Sequence, residues 1–124
     1  MKKLITVLVL GFSVLAVNAA WAHGGVKPKH GGVVQAAGDL SFELTATDNG
    51  VTIYVDDHGK PLDTAGMTGK LTVLNGSERS EAALEPAGEN RLQADGVKVG
   101  RGTRAVAALN ARDGTAISVR FSIK

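Results

Sequence analysis

Cysteine is absent from all 124 residues. That excludes a disulfide framework, thiolate metal ligands and a lipid-modified cysteine. A small domain without cross-links must rest on its apolar core. Aromatic residues make up only 4% of the chain, too few to supply stacking platforms for single-stranded nucleic acid or sugars. Familiar catalytic signatures are missing as well. There is no Gly-x-Ser-x-Gly, no His-Glu-x-x-His and no phosphate-binding loop, so the chain reads as a non-enzyme. Past residue 22 no apolar stretch is long enough to span a bilayer.

What is present begins with an export signal. Lys2 and Lys3 form a basic n-region, Leu4 to Val17 an apolar h-region, and Ala20-Trp21-Ala22 a small-x-small cleavage site. Residues 1–22 are therefore expected to be removed, leaving a periplasmic chain that starts at His23 and is not inserted in the membrane. Without Lys2 and Lys3 the 14 basic residues fall to 12, level with the 12 acidic ones. A general attraction to nucleic acid or anionic membrane is not expected from that balance.

Residues 23–38 are rich in Gly and Lys and read as a flexible arm that joins the sheet near Val33-Val34. From Leu40 the apolar period becomes two: Leu40, Phe42, Leu44 and Ala46 alternate with polar residues. Asp48-Asn49-Gly50 supplies a hairpin turn through its tolerance of positive φ, and Val51, Ile53 and Val55 return. The loop Asp57-His58-Gly59-Lys60-Pro61 follows. Further strands are expected around Leu71 and Val73, Arg79 to Glu85, and Leu92 and Ala94. The last, Ile117 to Ile123, alternates most clearly. The Ala-rich stretch Thr103 to Leu109 has helical propensity but is interrupted by Val106. About seven short strands with regular turns predict an all-β, antiparallel immunoglobulin-like β-sandwich over residues 39–124, with a small β-barrel as the alternative.

The chain's three histidines all sit in polar, Gly-rich settings. A mature terminal His23 would carry a free α-amine and an imidazole, which together chelate a metal. Both groups have reference pKa values near neutrality, about 7.7–8.0 and about 6.5, so their protons are displaced cheaply and binding is pH-dependent. His30 or His58 would add a second imidazole, and Asp56 or Asp57 an oxygen. Nitrogen and oxygen donors in a tetragonal set point to Cu(II), while Zn(II) or another divalent transition metal also suits imidazole. Met67 is either a soft Cu(I) ligand or a core gap-filler.

The signal, the histidine start and the all-β pattern resemble the small periplasmic copper-resistance carriers of immunoglobulin-like fold. A second likeness runs from His30-Gly31-Gly32-Val33-Val34 through Asp56-Asp57-His58-Gly59-Lys60-Pro61-Leu62 to Leu71-Thr72-Val73. That stretch is similar to small exported proteins found beside heavy-metal efflux systems, and to a domain of some periplasmic adaptors. The carriers use a mature terminal histidine with a further histidine and an aspartate for Cu(II), which implies His23, and His58 with a neighbouring aspartate, here. The expectation is a periplasmic protein that buffers a transition metal or delivers it to an efflux system. The alternative is a metal-free immunoglobulin-like module for protein interaction through its sheet edges.

Overall fold

The computed structural model describes residues 26–124. The expected signal peptide and His23 lie outside the described residues. The described chain forms nine strands: β1 Val33–Ala37, β2 Leu40–Ala46, β3 Gly50–Asp57, β4 Lys60–Pro61, β5 Thr68–Asn75, β6 Glu78–Pro86, β7 Arg91–Asp95, β8 Arg104–Asn110 and β9 Ala116–Ser122. All pairings are antiparallel, in the order β1-β2-β3-β7-β6-β5-β8-β9, with β4 hydrogen-bonded to β3.

The strands fall into two halves. β1, β2, β3, β4 and β7 make the first; β5, β8 and β9 make the second. β6 belongs to both. Its residues up to Leu84 pair with β5, while Glu85 and Pro86 pair with β7. The hydrogen bonding is thus continuous, and β1 packs near β9 at the far side, so the sheet is nearly barrel-shaped. The all-β, antiparallel expectation holds. The division into halves is sandwich-like and the unbroken ladder barrel-like.

Period-two alternation sets the core. Phe42, Leu44, Val51, Ile53, Val55, Leu71, Val73, Leu84, Leu92, Val119 and Phe121 all point inward and are buried. β8 alternates too, burying Ala105, Ala107 and Leu109. Its helical propensity is worth only tenths of a kcal/mol per residue, less than the burial and ladder it gains between β5 and β9. Met67 is buried in this core, the gap-filling role.

Three readings change. Residues 33–37, placed in a flexible arm, are a full strand of the sheet, longer than the contact anticipated at Val33-Val34. Asp48-Asn49-Gly50 does turn the chain, but neither Asn49 nor Gly50 has positive φ. Gly50 is required for another reason: a Cβ there would run into the carbonyl oxygen of Ala94. The loop at Asp57–Pro61 contains a further two-residue strand, β4, whose partners are Asp56 and Asp57.

Candidate functional site

The outer face of β2 and β3 carries Ser41, Glu43, Thr45, Thr52, Tyr54 and Asp56, since their neighbours face the core. On an open sheet these polar side chains would be solvated. Here the segment before β1 folds back across them. The carboxylate of Glu43 accepts three backbone N–H bonds from it: Lys29 N at 2.9 Å on Oε1, and His30 N and Gly32 N at 2.8 Å each on Oε2. Charge-assisted bonds of this length are the strong kind. They leave Glu43 only 6% exposed. Gly32 approaches so closely that a Cβ would meet the carbonyl oxygen of Leu44, and Gly31 adopts φ +75°. The Gly-Gly pair after His30 therefore has a packing reason.

Two side chains extend the strap. Lys29 Nζ donates to Asp56 Oδ2 at 2.7 Å and to the carbonyl of Gly59 at 3.2 Å. Asp56 Oδ1 also accepts from Asn90 Nδ2 at 3.3 Å. Asp56 is thus engaged on both oxygens, and an ion bound there would displace the Lys29 ammonium. His30 lies flat on Tyr54, with ring centroids 3.6 Å apart and planes inclined by 12°. Tyr54 precedes His58, the residue just past the end of β3, by four residues, about 13 Å at a strand's rise of about 3.3 Å per residue. His30 and His58 therefore do not converge.

His58 occupies a different corner. It opens the two-residue turn His58-Gly59 between β3 and β4, with Asp57 opposite Lys60. Both turn residues have positive φ, 52° for His58 and 84° for Gly59, the requirement of a type I′ hairpin. The turn accounts for this conformation, which histidine adopts more readily than most non-glycine residues, and Glu89 shares it at φ 53°. The His58 Nδ1–H donates to Asp57 Oδ1 at 2.6 Å. Its Nε2 faces Asp39 Oδ1 at 3.5 Å. Asp39 stands in the β1–β2 turn, and His58 N donates to its carbonyl at 3.1 Å. A ring oriented by a carboxylate on one nitrogen, with the other presented outward, is the usual arrangement of a metal-ligating histidine. With metal–ligand bonds of about 2.0–2.1 Å, a 3.5 Å separation leaves room for one ion between Nε2 and Asp39.

Among the expected ligands, the structure brings His58 and Asp57 together, with Asp57 as the orienting group. It places His30 in the strap, stacked on Tyr54, and Asp56 beneath the Lys29 ammonium, and adds Asp39, which the motif reading missed. The register carries the signal for it: Leu40 pairs with Asp57, so the residues one step outward, Asp39 and His58, must meet. Among the described residues no group of three or more His, Cys, Asp or Glu side chains is arranged to hold an ion, and no helix is long and apolar enough to cross a membrane. Compared with protein-family models, curated proteins and solved structures, the chain matches none.

Proposed function

We propose that this chain is an exported periplasmic protein that binds a divalent transition metal, Cu(II) in the first instance, and buffers it or passes it to an efflux system. The observation that carries the reading is the strap. Lys29 binds Glu43 through its backbone and Asp56 and Gly59 through its ammonium. The ammonium of Lys29 thereby ties the strap to the turn that holds His58, two residues from Asp56 and next to Gly59. His23 is three residue steps from Val26, a span of at most about 11 Å. His23 would supply amine and imidazole, His58 Nε2 a further nitrogen and Asp39 an oxygen. His30 is the alternative imidazole if it leaves Tyr54. Such donors are hard to borderline and nitrogen-rich, which suits Cu(II). The likeness to periplasmic copper carriers points the same way.

Titration of the exported protein with Cu(II), read by electron paramagnetic resonance, is expected to give one nitrogen-rich centre per chain. One extra residue ahead of His23 blocks the chelating amine and is expected to weaken binding at least about tenfold. His58→Gln is expected to weaken it less. Unchanged affinity in the extended protein would sink this reading.

A further inference from the structure

The near-equal charge totals hide a strong segregation. Residues 39–95 hold eleven of the twelve Asp and Glu but only four Lys and Arg. Residues 96–124 hold six Lys and Arg and one acid, Asp113. Strands β8 and β9 contain no acidic residue at all. Their outward positions are Arg104, Val106, Ala108 and Asn110 on β8, and Ser118, Arg120 and Ser122 on β9, opposite the buried Ala105, Ala107, Val119 and Phe121. Arg104 pairs with Ser122 and Arg120 with Val106, so the two arginines are diagonal neighbours, roughly 7–8 Å apart at the backbone. Both are exposed, and among the described residues neither has a carboxylate within ion-pair distance. Gly102 donates to the carbonyl of Ile123, which sets Arg101 beside Lys124 at the same end.

We propose that this outer face of β8 and β9 binds an extended acidic segment of a partner protein. An extended chain presents side chains of one face every 6.6–6.8 Å or so, which matches the diagonal of Arg104 and Arg120. Guanidinium groups take carboxylates in two-point contacts; Ser122, opposite Arg104, and Ser118, one outward step beyond Arg120, add hydroxyl donors beside them. A continuous polyanion fits less well. On the adjoining β5–β6 surface Glu81 is held by Arg79 at 2.8 Å and by Lys70 at 3.6 Å. The hydrogen bond from Arg79 keeps its carboxyl below the ordinary carboxylate range, so a lipid surface or nucleic acid would meet a fixed negative charge. The face has no aromatic ring for stacking, and the one exposed large apolar residue among those described, Val26, is in the strap. A second copy is a poor occupant. The outward residues of β6 are Arg79, Glu81, Ala83 and Glu85, and those of β7 are Arg91, Gln93 and Asp95, so neither strand offers two carboxylates at adjacent outward positions.

The probe is a fluorescein-labelled peptide of alternating Glu and Thr, read by anisotropy at low ionic strength, with a Gln-Thr peptide as control. Binding of the acidic peptide is expected to fall about tenfold in Arg104→Gln/Arg120→Gln and by a smaller factor in Arg104→Lys/Arg120→Lys, which keeps the charge but loses the two-point contacts. It should change less than twofold in Lys27→Gln/Lys60→Gln, which removes the same charge elsewhere. Equal binding by both glutamine double variants, or by the Gln-Thr peptide, overturns the proposal. So does stronger Arg104- and Arg120-dependent binding to phosphatidylglycerol vesicles or a DNA oligomer, or salt-sensitive self-association through the same residues.

Discussion

The two outer faces of this sheet are built from the same alternation, yet one is covered and the other bare. On β2 and β3 the outward polar residues are sealed by residues 29–32, and a carboxylate as polar as Glu43 becomes almost inaccessible. On β8 and β9 the outward residues stay in water and carry cations without partners among the described residues. Burial of a charge is tolerated only when every acceptor is used, and Glu43 meets that condition through three backbone donors. The covered face therefore holds a fixed structure, whereas the bare face keeps its charges available.

The comparison can be broken first at the shared core. Leu71→Ala removes a fully buried side chain and is expected to cost about 2–5 kcal/mol. Because β6 ties the halves together, chemical denaturation followed by circular dichroism should still show one transition. Two separated transitions would mean that the halves fold independently. The next effect belongs to the strap. Glu43→Ala strips the acceptor from three N–H groups, and a loss of about 2 kcal/mol is expected. The amides of Lys29, His30 and Gly32 should exchange much faster while those of β8 are unchanged. Gly32→Ala attacks the same strap sterically, through the carbonyl of Leu44, and should loosen it with Glu43 intact.

The smallest effect is on the β5–β6 surface that adjoins the bare face. Glu81 has its pKa lowered, chiefly by the hydrogen bond from Arg79 and then by Lys70. A depressed carboxylate stabilises the fold above its unfolded pKa, and that contribution fades as pH falls through the folded value. Glu81 stands at the surface, so solvent screens it. Glu81→Gln should shift the thermal midpoint little at neutral pH, and not at all once the pH is well below the ordinary carboxylate range.

Much of this arrangement was legible before any coordinates. The alternation from Leu40 to Val55 and from Ile117 to Ile123 identifies both strands and buried faces, because period two is imposed by the backbone itself. Asp39 was legible in principle too, since the hairpin register puts it opposite His58. The role of Glu43 was not. As one polar residue in an alternating strand it predicts only an outward side chain, and its burial depends on donors 11 to 14 residues away. The expected strand count missed β4, because Pro61 lacks an N–H to donate, yet Lys60 and Pro61 still pair at the sheet's edge with Asp57 and Asp56. The Ala-rich β8 shows the reverse case, where position between two strands overrides a local preference.

The central proposal is that the strap keeps the proposed ligand His23 within reach of the Asp39–His58 corner. Cu(II) affinity of Glu43→Gln, set beside Glu81→Gln, tests it most directly, because neither residue is a proposed ligand. Loosening the strap lowers the effective concentration of the chain's start at that corner. Glu43→Gln is therefore expected to bind Cu(II) about tenfold more weakly, with Glu81→Gln indistinguishable from the parent. Equal affinities in all three proteins would contradict the account.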